Sequence, residues 1–349
     1  MALHRIGRYD ETFSKHFQEK GGVKLLKKII DQLTSAKGSA ESLNVLGTGL
    51  CSFYRLLSHI SRKAGSNPWK DYPTTFFTGV VQYMSKKGSI PASVVRSSLQ
   101  IAGAYVLYTP VEQGFAAIYK QGKGLKDITD HIPTNDTVIQ EAAIMLINAV
   151  ILKASDAEKP ALFAKLEKLE VKKTLGKALA AMGSVPDSLA HELYVLQTYL
   201  LNTLAERARY DYTTHDKDLV EKLAQLNESL VDVLEGGDVA TYLGFTKKDR
   251  PEEDFKGYPG VLALDNMSYF AQQYEDDYKR MVLDQRSRQE DYICPFIVTG
   301  KRLSELLLDI LDVGKKVDET STQYLPMFYQ SRGSAFEEVC GGQLQAISR

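Results

Sequence analysis

Cysteine is scarce in this chain: Cys51, Cys294 and Cys340 are the only three in 349 residues, and they lie far apart. One stays unpaired even if the other two bridge, so a disulfide framework is excluded and a reducing compartment is expected. Long apolar runs are missing as well. The longest nearly apolar stretch, Ala142 to Leu152, is too short to span a bilayer and contains Asn148. The first eight residues, Met-Ala-Leu-His-Arg-Ile-Gly-Arg, hold nothing like the apolar segment of a signal peptide. Net charge is close to nil at −1, which excludes wholesale phosphate neutralisation, so no nucleic-acid partner is expected.

Catalytic signatures are absent too. His191-Glu192 opens like a zinc-protease helix, but Val195 stands where the second histidine should be. Gly47-Thr-Gly49 lacks the third glycine and the preceding strand of a dinucleotide site. There is no Walker-type phosphate loop and no Cys-x-x-Cys, and the six histidines never cluster with the cysteines. No metal, no cofactor and no enzyme activity are expected.

What is present is helical periodicity. Hydrophobic residues make up 44% and charged residues 25%, ordinary values for a globular protein. Four long stretches, 42–61, 94–109, 138–154 and 188–208, show apolar residues at i, i+3, i+4 spacing and are too long for strands. Their starts lie 52, 44 and 50 residues apart. Shorter amphipathic pieces fall between or before them at 22–30, 80–87, 124–132 and 171–179, and Pro91, Pro110, Pro133, Pro160 and Pro186 punctuate the pattern. An all-helical unit recurring every 40–50 residues predicts an all-α, irregular armadillo/HEAT-like solenoid over residues 1–210.

Asparagine recurs inside the long stretches at Asn44, Asn148 and Asn202. A helix-interior asparagine lowers helix propensity and, when buried, needs partners. Two readings stand open: a row of amides lining a groove that clamps a partner peptide, or core amides that hold neighbouring repeats in register. Beyond these stretches a polar helix is expected across a connecting segment, 211–235. From 236 to 349 a second helical unit follows, with helices at 261–285, 303–313 and 334–345.

Charge is unevenly divided. Residues 1–130 hold 18 Lys+Arg against 9 Asp+Glu, while residues 131–349 hold 25 against 35. The basic first part, with clusters at Lys24, Lys27, Lys28 and at Lys86, Lys87, makes an anionic membrane surface a candidate partner; a plain solvated face is the competing reading.

One segment is specific. Residues 243–270 read Leu-Gly-Phe-Thr-Lys-Lys-Asp-Arg-Pro-Glu-Glu-Asp-Phe-Lys-Gly-Tyr-Pro-Gly-Val-Leu-Ala-Leu-Asp-Asn-Met-Ser-Tyr-Phe. This string resembles the signature of the ELMO (engulfment and cell motility) domain. The likeness continues through Tyr278–Leu283, Cys294-Pro-Phe296, Leu303–Leu311, Pro326-Met-Phe328 and Phe336-Glu-Glu338, and is looser in 13–30 and 139–158. Read physically, Gly244, Gly257 and Gly260 permit tight backbone paths. Asp254 and Asn266 offer side-chain oxygens to loop amides, and Phe255 anchors the loop.

The resemblance implies a non-enzymatic regulatory scaffold that is cytoplasmic and recruited to the plasma membrane. Such proteins link adhesion-receptor cytoplasmic tails and small GTPases to a DOCK-type exchange factor acting on Rac, in phagocytosis and actin remodelling. It also implies that this chain carries only the middle of the family's layout, starting in the armadillo region and stopping within the ELMO domain. A second branch of ELMO-domain proteins accelerates GTP hydrolysis by Arf-like GTPases and places an arginine between Asp-Phe and Gly. Here Lys256 holds that position between Phe255 and Gly257, keeping the charge without arginine's planar fork. Arg250, six residues earlier, is expected to substitute only if the loop bends unusually.

Overall fold

The computed structural model describes residues 11–35, 39–61, 67–85, 90–120, 124–234, 237–287 and 295–330. Among the described residues there is no β-strand. The chain divides into two compact units, one up to Leu196 with Thr320–Tyr324, the other Gln197–Glu319 with the residues from Leu325 onward.

The first unit is built from α1 (Glu11–Glu19), α2 (Gly22–Ser35), α3 (Ala40–Ser61), α4 (Thr74–Val81), α5 (Ala92–Tyr108), α6 (Gly124–Thr129), α7 (Thr137–Lys153), α8 (Lys159–Lys168), α9 (Val171–Ala180) and the first half of α10 (Asp187–Arg209). The four long periodic stretches are thus α3, α5, α7 and α10. α3, α5 and α7 pack side by side in chain order, which is how a solenoid buries faces that no single repeat can bury alone. α5 and α7 are enclosed on most sides: Ile101, Ala102, Tyr105, Val106, Ile144, Leu146, Ile147 and Val150 are all fully buried. Gly47 explains one close approach, because a Cβ there would sit 2.4 Å from Ser93 Oγ at the start of α5. An aromatic cluster fills the space under α3 and α4, with Phe77 stacked on Tyr105 at 3.5 Å and Trp69 donating through Nε1 to Ser61 Oγ at 2.9 Å.

Asp136 starts α7 by accepting from the backbone N–H groups of Val138 and Ile139 at 3.0 and 3.2 Å, and Asp216 does the same for α11. The piece expected at 80–87 lies differently. α4 begins at Thr74, behind Pro73, and is over by Gln82, because Phe76, Phe77 and Val80 are the residues that reach the core; Lys86 and Lys87 lie outside the described residues.

The second unit continues with α11 (Lys217–Val231), α12 (Val239–Leu243), a 3₁₀ turn at Pro251–Phe255, α13 (Gly260–Gln273), α14 (Glu275–Ser287), α15 (Phe296–Ile310) and α16 (Pro326–Gln330). The sequence boundary at 210 and the structural division differ. The second half of α10 packs Leu204 and Ala208 into the core formed by Leu219, Leu223, Leu226 and Leu230 of α11 with Val261, Leu264, Met267 and Phe270 of α13. The connecting helix is therefore part of that core. The single helix expected at 261–285 is two, broken at Tyr274, and α15 starts seven residues before 303, directly after Pro295. The helix expected at 334–345, Cys294 and Cys340 lie outside the described residues.

Candidate functional site

The signature loop is held by its own side chains. Asp254 is buried, and its carboxylate accepts from the Thr246 backbone N–H at 2.8 Å and from the Thr246 hydroxyl, with Lys301 Nζ 4.0 Å away. Phe255 is fully buried edge-on to Phe245, and its carbonyl accepts from Tyr212 N–H at 3.2 Å. Gly257 is exposed with φ +74°, and its N–H donates to Asp211 Oδ1 at 2.6 Å. Gly260 has φ +54°, and a Cβ there would lie 2.5 Å from the Tyr210 carbonyl oxygen; only glycine fits where α13 meets the end of α10. Asn266 is fully buried in α13 and donates to Ser304 Oγ of α15 at 2.9 Å.

Lys256 points to the exposed side and donates to Glu253 Oε1 at 2.6 Å. Arg250 Nη1 lies 3.9 Å from that same oxygen, and Lys247 Nζ lies 3.8 Å from Glu253 Oε2. The 3₁₀ turn thus bends the chain enough to bring Arg250 beside Lys256, a proximity that the six-residue separation hides. The Lys256 hydrogen bond, with the two further cations, holds the Glu253 carboxyl below the ordinary glutamate range. Lys247, Arg250 and Lys256 thus share one carboxylate, while Asp249 and Glu252 of the same segment keep its formal charge balanced.

A separate ion network joins α10, α11 and α13. Asp265, nearly buried, receives Arg207 Nε at 2.6 Å and Nη2 at 3.0 Å, and Lys222 Nζ at 2.9 Å. Asp265 stood within the signature string, but its partners lie on α10 and α11, 58 and 43 residues away.

The three asparagines have different surroundings. Asn44 is exposed on α3. Asn148 is buried, and its Nδ2 ties α7 to α10 by donating to the Glu192 carbonyl at 3.0 Å and to Glu192 Oε2 at 2.8 Å. Asn202 belongs to the second unit, where its Nδ2 donates to the Lys315 carbonyl at 3.0 Å and its Oδ1 accepts from Gly314 N–H at 2.7 Å. The amides of Asn148 and Asn202 are thus engaged within the fold.

Around Asn148, however, the first unit gathers a polar cluster. Glu141 of α7 accepts from Ser188 Oγ of α10 at 2.7 Å. Burial raises the Glu192 carboxyl above its ordinary range, the Asn148 bond and His191 oppose that, and the neighbouring Glu141 charge adds to it. Tyr54 of α3 lies within electrostatic reach of Tyr108, Glu141 and Glu192, and burial is the main cause of its raised hydroxyl pKa. Asn148 Oδ1 is buried and accepts no hydrogen bond among the described residues. Two carboxylates and two tyrosine rings, with no ion-pair partner for either carboxylate among the described residues, are chemistry suited to a cationic side chain. Ser188 lies 47 residues after Glu141, one repeat on, which is the one sequence signal that could have paired these helices.

No group of three or more His, Cys, Asp or Glu able to hold a metal occurs among the described residues, and no helix there is long and apolar enough to cross a membrane.

Comparison with known proteins adds the following. The model of the ELMO/CED-12 family matches residues 202–342, and that of the ELMO armadillo-like helical domain matches residues 12–180. The chain is 28% identical over 357 residues to human engulfment and cell motility protein 1, covering 94% of this chain and 47% of that protein. It is 29% identical over 359 residues to human engulfment and cell motility protein 2, covering 97% and 48%. Against the rat engulfment and cell motility protein 3 the figures are 27% over 352 residues, covering 95% and 46%. The chain spans about half the length of the curated relatives it matches.

Proposed function

The chain belongs to the ELMO (engulfment and cell motility) family, and from that membership we propose that it is a non-enzymatic regulatory scaffold in engulfment and cell motility. In this reading the first unit receives an adhesion-receptor tail or a small GTPase at the plasma membrane. The second unit takes part in docking a DOCK-type exchange factor that acts on Rac. The observation that carries the reading is the succession of two family matches, armadillo-like then ELMO, along one chain. The cluster of Tyr54, Tyr108, Glu141 and Glu192 supports a receptor tail bearing arginine or lysine.

The test is titration calorimetry of the chain with a basic adhesion-receptor tail peptide, beside co-sedimentation with a DOCK-type factor. Binding in both is expected, with Glu141→Lys and Glu192→Lys weakening the tail only. Failure to bind either partner sinks the scaffold reading.

A second reading, stimulation of GTP hydrolysis by Arf-like GTPases, is favoured by one observation: Arg250 stands next to Lys256 at Glu253. Arginine there could stabilise charge on a transferred phosphoryl group. Single-turnover hydrolysis separates the two readings. The scaffold predicts no acceleration by the unmodified chain, whereas acceleration abolished by Arg250→Ala establishes the second.

A further inference from the structure

α2 has two faces, and only one is used by the fold. Val23, Leu26 and Ile30 are 1%, 7% and 0% exposed and face the core with α3 and α4. On the other side of the same 14-residue helix, Leu25 is 61% and Ile29 41% exposed. At i, i+4 spacing these two form an apolar edge. Beside them Lys24 and Lys28, also at i, i+4 spacing and also exposed, form a cationic edge, and exposed Lys20 extends it from the turn before the helix. Among the described residues Lys20, Lys24 and Lys28 have no ion-pair partner. The carboxylates nearest in sequence are already engaged: Glu19 lies 3.7 Å from Lys15, and Asp31 accepts from Lys27 at 2.5 Å. Lys27, which also lies over the Phe76 ring, is thereby part of the fold rather than of the outward face.

We propose that this outward face of α2 is a binding surface for anionic phospholipid bilayers, with Leu25 and Ile29 entering the headgroup–acyl boundary and Lys20, Lys24 and Lys28 lying at the phosphates. The division of one helix face into a leucine–isoleucine edge and a lysine edge is the arrangement of a helix lying in an interface plane. Charge complementarity selects the occupant. A neutral apolar partner would leave three free ammonium groups unmatched, and an excess of lysine and arginine over acid across residues 1–130 favours an anionic sheet over an isolated anion. The surface is distinct from the cluster at Glu141 and Glu192, whose charge has the opposite sign, so this inference does not rest on the scaffold reading.

The experiment is flotation of the whole chain with vesicles of phosphatidylcholine alone or with one-third phosphatidylserine, at low and physiological salt. Binding to the anionic vesicles only, weakening with salt, is expected. Each lysine near such a surface contributes on the order of fivefold in affinity, so Lys24→Glu with Lys28→Glu lowers it roughly tenfold or more. Leu25→Ser with Ile29→Ser lowers it comparably, while far-ultraviolet circular dichroism shows the helical fold unchanged in both. Leu25→Trp adds a local reporter against the native Trp69, which is fully buried. Its emission should shift to the blue with anionic vesicles. Absence of binding overturns the proposal. So does binding that survives both double substitutions, or a Leu25→Trp emission that stays unshifted while the chain floats. Binding of a helical protein segment to α2 with no vesicle binding would assign the face to a protein partner instead.

Discussion

Asp265→Ala tests whether the second unit depends on its ion network. The carboxylate is 8% exposed and receives three charged N–H donors, from Arg207 Nε, Arg207 Nη2 and Lys222 Nζ. Removing it leaves a guanidinium and an ammonium close together without their shared counter-ion. Stripping one partner from a fully buried pair costs about 3–5 kcal/mol. Here the two cations keep roughly a third of their side-chain surface in water, with 31% and 27% exposed, and each has Asp218 nearby at 3.8 and 2.8 Å. Water and Asp218 offset part of the loss, which brings the expected cost to about 2–3 kcal/mol.

Urea unfolding followed by far-ultraviolet circular dichroism and by tyrosine fluorescence provides the measure. Two units need not unfold together, so the transition of the second is assigned from whichever step shifts. Asp265→Asn, which keeps one acceptor oxygen, should cost less than the alanine, and the cycle with Arg207→Met should give a coupling of at least about 1 kcal/mol. Asp265→Leu with Arg207→Met, an apolar replacement of both partners, should recover much of the loss. An Asp265→Ala protein within about 0.5 kcal/mol of the native one would refute the reasoning, because surface substitutions with no structural role fall in that range.

Gly260→Ala must place a Cβ 2.5 Å from the Tyr210 oxygen at φ +54°, so it should destabilise the second unit by about 2 kcal/mol or more. Gly257→Ala, at φ +74° with nothing within 4 Å, should cost only about 1 kcal/mol, and thermal unfolding compares the two. Asp136→Ala removes two hydrogen bonds from the start of α7 and should cost about 1 kcal/mol in denaturant unfolding. Glu192 gives a pH signature. Burial makes the folded carboxyl bind its proton more tightly than the ordinary 4.5 of the unfolded chain, so its contribution is full below that value and is lost as pH rises through the folded one. Glu192→Gln, which retains an acceptor for Asn148, should therefore stabilise the chain at pH 7 and lose that advantage on acidification below 4.5. An unchanged pH profile would remove the buried charge as its cause.

The repeat was legible because helical periodicity and length survive in a single sequence: α3, α5, α7 and α10 fall within two residues of their expected bounds. The break at Tyr274 was not legible. Apolar residues continue on both sides of it, and what divides α13 from α14 is the turn that lets Tyr278 reach the Leu226 carbonyl at 2.7 Å. Nor could periodicity say which side of a helix faces a groove. α7 is apolar over nearly its whole circumference, so Asn148 had no polar side to belong to. Its partner Glu192 stood in view only as the second residue of a failed zinc motif.

The same degeneracy governs the signature loop. Asp254, Phe255 and Gly257 were recognisable as a knot because a buried carboxylate, a buried ring and a positive-φ glycine each have one local use. From the sequence, Arg250 could join Lys256 only if the loop bent unusually, and Lys247 and Glu253 had no evident part in it. In three dimensions Lys256 shares Glu253 with Arg250 and Lys247, so the charge presented there belongs to four side chains together. Neutralising Glu253 frees three cations at once, whereas replacing Lys256 leaves Arg250 to take over the released oxygen. An anionic group brought to this face would have to displace Glu253 from all three cations, so Glu253→Gln should free more positive charge in the loop than Lys256→Gln does.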